Sequence, residues 1–271
     1  ELAQDLLEGA KVFLADEIFD FGDEQFEAAG LHVLAESEEA GVHLAVSPDR
    51  FRMVFFQGHP EYDTINAIAQ QRNLLVVEDA AQGVNAKYGG SYQGTLGDFG
   101  CYSFHETKNF ICGEGGALVV RDPDKLARAE CIREDGTNRR EFLRGEVEHY
   151  EWKDVGSSYI LPELLAAFLY AQLENMEHIT ERRQAVYTRY RDKLMPLEQR
   201  GDIRLPVMPE GCTTNYHMFY ILLENEPTRA ALIEHLKAQG ILAVFHYVPL
   251  HTSPMGQTMG YRKGMLPVTE D

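Results

Sequence analysis

Long apolar runs are missing from this chain. Nowhere do its 271 residues approach the ~18 or more consecutive apolar positions that a membrane-crossing helix needs. Its first residues carry acids in place of the basic and then apolar order of a secretory leader. A soluble, cytoplasmic protein that does not engage a membrane is the expectation. Cysteine is scarce too. Cys101, Cys112, Cys131 and Cys212 stand far apart with no CxxC pair, which argues against a zinc knuckle or a disulfide framework and for reduced, structural thiols. No metal site is expected. Positive charge is short: 25 Lys/Arg stand against 43 Asp/Glu, a net charge of -18, and a protein without a concentrated cationic face is poorly suited to nucleic acid. A small anion is another matter, since a few local arginines or a helix N-terminus can hold it.

What is present divides near residue 63. Residues 1–63 hold 15 Asp/Glu against 3 Lys/Arg, a balance of -12; the remainder holds 28 against 22, or -6. The chain opens at Glu1 without Met and stops at Asp271 after a Pro-containing loop, so both ends look cut and a fragment is expected. The first part reads as short strands with turns and ends in Gly58-His59-Pro60-Glu61-Tyr62-Asp63. That ending resembles the C-terminal part of homoserine O-succinyltransferases, and the resemblance implies that His59 and Glu61 assist a nucleophilic Cys. No cysteine precedes Cys101, so His59 and Glu61 are expected to be remnants of such a site, and the chain looks chimeric. The expected division is 1–63, 64–200 as a large-domain portion, and 201–271 as a partial small domain.

From Thr64 the pattern changes to a helical stretch, TINAIAQQRN, and then a buried strand over Leu74–Val77 that stops at Glu78-Asp79. An uninterrupted apolar run suits a strand covered on both faces of a parallel sheet, and the carboxyl ends of such strands are where ligands bind. A lone Asp there is ordinarily a helix N-cap. A second strand, Cys101–Phe104, runs into His105-Glu106-Thr107-Lys108-Asn109, and GEGGALVV turns into a third. A lysine on a tight loop at a sheet edge can be partly desolvated, which favours the neutral amine that Schiff-base chemistry needs. Lys108 alone is an ordinary solvated lysine. The pair of Asp79 and Lys108 is what suggests pyridoxal phosphate: the lysine joins the aldehyde, and the acid keeps the ring nitrogen protonated.

The segments VVEDAAQ, GCYSFHETKN, GEGGALVV and FHYVPLH together resemble the sugar-nucleotide aminotransferases of the DegT/DnrJ/EryC1/StrS family, nearest to the type that aminates dTDP-4-keto-6-deoxyglucose. The resemblance covers most of residues 64–271. It implies an α/β fold, a partial fold-type I large domain with a mostly parallel sheet and a truncated small α/β domain, and a homodimer. It also implies pyridoxal 5'-phosphate as cofactor, glutamate as amino donor and a nucleotide sugar as acceptor. Residue by residue, Lys108 is the catalytic lysine, Asp79 the partner of the ring nitrogen, Gln82 a group beside the ring and Ser103 a phosphate contact. A strand hydroxyl satisfied by backbone is the plain alternative for Ser103. The related sugar dehydratases carry His in place of this lysine, so Lys108 favours transamination. Where many members place an Asn after GSSY, this chain has Ile160, and the family's phosphate-cupping segment is not visible.

Arg133, Arg139, Arg140 and Arg144 crowd a Gly-containing loop. Guanidinium groups match phosphate oxygens, so Arg139 and Arg144 are substrate-binding candidates beside the plainer reading of a solvated basic loop. His246 and His251 are further candidates by resemblance. His217, His246 and His251 match no metal-ligand spacing. Leu161, Leu164, Leu165, Phe168, Leu169 and Leu173 recur at helical spacing and should face a core. The segment 215–223, a helix from Pro227 to Gln239 stopped by Gly240, and a strand over 241–247 read as a β-α-β unit. Two other outcomes stay open beside aminotransfer: a catalytically inactive piece without a ligand, and a homoserine O-acyltransferase remnant.

Overall fold

The computed structural model describes residues 62–245 and 247–270, the Val268 side chain excepted, and the backbone of four earlier strands. His59, Glu61 and His246 lie outside the described residues. The strands are β1 (Val12–Ala15), β2 (His32–Ser37), β3 (Val42–Val46) and β4 (Arg52–Gln57). They are followed by α1 (Tyr62–Arg72), β5 (Leu75–Asp79), β6 (Lys87–Tyr88), β7 (Ser91–Tyr92), β8 (Phe99–Ser103) and β9 (Gly116–Val120). Next come α2 (Leu126–Arg133), α3 (Arg139–Leu143), α4 (Glu163–Glu174), α5 (Met176–Gln199), β10 (Cys212–Thr213) and α6 (Glu226–Ala238). Two compact units result: Glu1–Tyr190 with Val207–Phe219, and Arg191–Pro206 with Tyr220–Asp271.

In the first unit a seven-stranded sheet runs β1-β9-β8-β5-β4-β3-β2. It is mixed and not mostly parallel: among the described residues only β4–β5 and β5–β8 pair in parallel, while β1–β9, β8–β9, β2–β3 and β3–β4 are antiparallel. The connections explain this. A parallel neighbour needs a crossover, usually helical, and α1 supplies one between β4 and β5. β9 instead returns from β8 through a helix-free loop, and β2, β3 and β4 follow one another across short links.

α1 forms because Tyr62, Ile65 and Ala69 fall on one face, where they pack on Val76 of β5. The main core gathers Tyr102, Phe104 and Phe110 with Leu161, Leu169, Leu173 and Met176 of the α4 region. Leu164 and Phe168 do not face it: Leu164 is 86% exposed and Phe168 is also exposed. α4 is apolar around much of its circumference, so periodicity alone does not say which stripe is covered; the row 161, 165, 169, 173 is the one that packs.

The inward strand β5 carries one acid into the interior. Glu78 is 1% exposed, and its carboxylate accepts the backbone N–H groups of Gly94 at 2.7 Å, Leu96 and Gly97. It thereby fixes the loop that follows β7 against the sheet. This fit is close: a Cβ at Gly100 of β8 would stand 1.9 Å from the Gly94 carbonyl oxygen. Burial pushes the Glu78 carboxyl above its ordinary range, while the three N–H groups and Tyr62 pull it back. Glu78→Ala orphans three donors and is expected to lower unfolding free energy by about 3 kcal/mol, ~1 for each. Because the folded protein holds this proton more tightly than the unfolded chain, the group's contribution is complete below the ordinary carboxyl value, ~4.3. It is lost as pH rises through the raised folded value. Denaturant unfolding against pH should show that slope in the parent and not in Glu78→Ala.

In the second unit, Asn225 caps α6, its Oδ1 accepting from Thr228 N at 2.9 Å. Gly240 ends the run at φ +77°, a conformation open to glycine. The strands expected on either side of α6 are not formed among the described residues. An extended segment becomes a strand only against a partner edge, and the pairing present is one bridge, Arg204 to Leu222.

Candidate active site

Asp79 and Lys108 leave neighbouring strands at their carboxyl ends. Asp79 is the last residue of β5 and pairs in register with Cys101 of β8, and Lys108 lies five residues beyond Ser103, where β8 ends. Asp79 is exposed, and its Oδ1 accepts from Ala81 N at 3.1 Å. It closes a turn and caps no helix. Among the described residues its Oδ2 has no partner, nor does the half-buried Lys108 Nζ, nor the side-chain amide of Gln82. In a chain this rich in acids, a half-buried lysine without one is a distinctive feature.

The loop carrying Lys108 is zipped to the turn ahead of β9. Phe104 N donates to Gly115 O at 2.7 Å, Cys112 N to Phe104 O at 2.8 Å and Glu106 N to Gly113 O at 2.8 Å. Lys108 N donates to His105 O at 2.9 Å, closing a tight turn. Ser103 is half-buried, and its Oγ receives the His105 N–H at a long 3.4 Å, so the backbone engages this hydroxyl without exhausting it.

A residue that sequence reasoning missed joins the two loops. The Asn215 side chain donates from Nδ2 to Gln82 O at 2.7 Å and to Val84 O at 2.8 Å. The Asn215 carbonyl accepts from Asn109 Nδ2 at 2.7 Å. Asn109 Oδ1 in turn meets His217 Nδ1 at 2.8 Å. The residue after Lys108 and the residue three after Asp79 are thus tied to one asparagine. That asparagine is itself seated by α5: Arg183 donates to the carbonyls of Tyr216 and His217, and the Tyr187 ring lies 5.4 Å from Tyr216 and 4.9 Å from Phe219. Asn215 lies 131 to 133 residues from Gln82 and Val84, so no local pattern could have marked it.

The arginines sort into two groups. Glu134, 2% exposed, draws in Arg139 at 3.1 Å, Arg140 at 2.8 Å and Arg133 at 3.7 Å; Glu130 acts on Arg133 as well, while Arg139 and Arg140 stay close to half exposed. Arg144 is different, since its guanidinium is shared between Glu130 at 3.0 Å and Glu146 at 2.9 Å, which together push its proton affinity up. The two acids more than offset its charge, so Arg144 offers an anion less than Arg139 and Arg140 do. His251 is engaged too: its side chain is 5% exposed and its Nε2 meets Glu270 Oε1 at 2.8 Å, a bond that holds the Glu270 carboxyl below its ordinary range. The first cysteine, Cys101, is buried with its thiol pushed up to about 12 by desolvation and by Asp79 and Glu78, which leaves it a poor nucleophile.

Comparison with known proteins gives the geometry a context. A family model described as the DegT/DnrJ/EryC1/StrS aminotransferase family matches residues 53–271. That match begins ahead of the change of character near residue 63, and the comparisons lend no support to a second parent for residues 1–63. A dTDP-3-amino-3,4,6-trideoxy-alpha-D-glucose transaminase of Streptomyces venezuelae is 32% identical over 80% of this chain and 54% of its own length. A GDP-perosamine synthase of Caulobacter vibrioides is 34% identical over 72% of this chain and 50% of its own. The crystal structure of S. venezuelae DesV in complex with a ketimine intermediate superposes with a TM-score of 0.70 at 32% identity, covering 83% of this chain and 58% of that one. The chain spans about half the length of such relatives.

Proposed function

Because the chain belongs to the DegT/DnrJ/EryC1/StrS aminotransferase family, we propose that it carries the lysine-bearing part of a pyridoxal-phosphate-dependent sugar-nucleotide aminotransferase. The observation that supports this reading most is a trio of groups without a partner among the described residues, the Lys108 amine, Asp79 Oδ2 and the Gln82 amide, on two loops that Asn215 ties together. An amine, a carboxylate oxygen and an amide suit an aldehyde, a ring nitrogen and a ring substituent. When bound, pyridoxal phosphate supplies an electron sink for the charge left on carbon as a C–H proton departs. Lys108 holds the cofactor through Nζ and, as a free base, moves the proton between carbons. Asp79 keeps a proton on the ring nitrogen through Oδ2 while Oδ1 stays committed to Ala81. Gln82 orients the ring, and the Ser103 hydroxyl donates to the phosphate.

The amino donor in this proposal is glutamate, and the acceptor is the C4 ketone of a dTDP-linked 4-keto-6-deoxysugar. The enzyme acts in the cytoplasm as a homodimer. The dTDP- and GDP-linked names of two relatives point to a nucleotide diphosphate sugar, whose two phosphates suit the guanidinium groups gathered at Glu134. Arg139 and Arg140, 47% and 45% exposed, can reach such a group; Arg144 is occupied.

Purified protein given pyridoxal phosphate, glutamate and dTDP-4-keto-6-deoxyglucose should release 2-oxoglutarate and form the 4-amino sugar. Product from a 3-keto isomer alone would move the acceptor carbon, and no 2-oxoglutarate with any keto sugar would end the reading. In the same assay Arg139→Ala should raise KM for the nucleotide sugar about tenfold, the worth of one charge-assisted hydrogen bond, with kcat little changed. Arg144→Ala should stay within about twofold, as for an exposed ion pair. Equal effects would contradict the division of the arginines.

A further inference from the structure

The turn that presents Lys108 is closed by a ring. His105 stands where β8 gives way to the loop, and its carbonyl already accepts the Lys108 N–H at 2.9 Å. Its imidazole folds back over the same turn: Thr107 N reaches Nδ1 at 3.2 Å, and Thr107 Oγ1 lies 2.8 Å from the same nitrogen. On the other side Nε2 faces Glu114 Oε1 at 3.4 Å.

A backbone N–H can only donate. Nδ1 is therefore the accepting nitrogen and carries no proton; the proton sits on Nε2, toward an acceptor-only carboxylate, and the Thr107 hydroxyl donates to Nδ1 as well. The ring thus takes the N–H two residues ahead, as an Asn or Asp oxygen does in an Asx turn. It reaches across to Glu114 besides, which lies on the turn zipped to this loop through Glu106 N and Gly113 O. Lys108 follows directly on the residue that the ring holds.

We propose that His105 is a positioning residue for Lys108, its neutral ring bracing the 105–108 turn between the Thr107 N–H and Glu114 so that the amine is presented in one geometry. The proposal rests on Lys108 being the cofactor-binding lysine. His105 touches none of the reacting atoms in this scheme.

The test uses the full chain, 15N-labelled, as parent, His105→Ala and His105→Asn. Ring nitrogen shifts in the parent should report the Nε2–H form. Exchange of the Thr107 amide should quicken about fivefold in His105→Ala, the worth of one net hydrogen bond, and return to the parent value in His105→Asn, whose Oδ1 can accept the same N–H. The rate at which pyridoxal phosphate becomes borohydride-fixed at Lys108 should fall by a similar factor in the alanine variant and recover with asparagine, the melting temperature staying unchanged. A proton found on Nδ1 in the parent, or parent-like exchange and fixation in His105→Ala, would overturn the proposal. Should the alanine variant fail to fold, the parent ring shifts and the asparagine variant decide. Absence of any adduct at Lys108 in the parent sinks the aminotransferase reading instead, and the ring shifts and Thr107 exchange still decide whether His105 holds the turn.

Discussion

Replacing Lys108 by alanine is expected to lower amino transfer by on the order of 10³-fold or more, the range for losing a positioned acid–base group, while leaving the fold intact. Both halves follow from the same observation. Nζ has no hydrogen-bond or ion-pair partner among the described residues, so its removal orphans nothing and creates no buried charge. The backbone of the loop is held by bonds that do not involve the lysine side chain, from Phe104 to Gly115, Cys112 to Phe104 and Glu106 to Gly113. Lys108→Arg should be nearly as inactive, because a guanidinium keeps the charge but does not give up its proton at neutral pH. Turnover of glutamate to 2-oxoglutarate, read beside the melting temperature, separates the two effects. A Lys108→Ala protein that melts with the parent yet retains a tenth of its turnover would place the chemistry elsewhere.

Asp79→Asn should reduce kcat by on the order of 10² to 10³, the cost of removing one preorganised electrostatic group. The substitution is chosen for what it spares. Asparagine keeps an oxygen for the Ala81 N–H, which Asp79 accepts at 3.1 Å, so the turn after β5 survives while the negative charge at the second position is lost. An amide there cannot hold a proton on a ring nitrogen as a carboxylate does. Asp79→Glu, with its charge on a longer arm, should fall between the two. Steady-state rates with glutamate decide the matter, and a loss smaller than tenfold for Asp79→Asn would remove the acid from the mechanism.

Strength of local pattern decided what could be read from the residues alone. β5, β8, β9, α4 and α6 each rest on a run of side chains close in sequence, an apolar stretch, a helical stripe or a glycine stop, and each stands where that run lies. The loops after β5 and β8 were legible for the same reason: strand ends are marked by the residues that end them. Direction within the sheet was not, because β9 reads as a strand whichever way it returns. Leu164 and Phe168 show the limit of periodicity, which finds the apolar rows of α4 and cannot say which one a neighbour covers. The site divided along the same line. Asp79 and Lys108 are marked as a pair by the strand ends they follow, whereas Asn215 gains its role from carbonyls more than a hundred residues away. Arg144 and His251 look alike in sequence to residues that meet a ligand, and only the acids around them, Glu130, Glu146 and Glu270, show that they are already engaged.

The central claim is that this chain holds pyridoxal phosphate through one lysine. The direct measurement is to incubate the purified protein with the cofactor, reduce with borohydride, digest and locate the pyridoxyl group by mass spectrometry. One modified peptide carrying the label on Lys108, formed in the parent and absent from Lys108→Ala, is the expected result. Label scattered over the surface lysines, or none retained after reduction, would contradict the account.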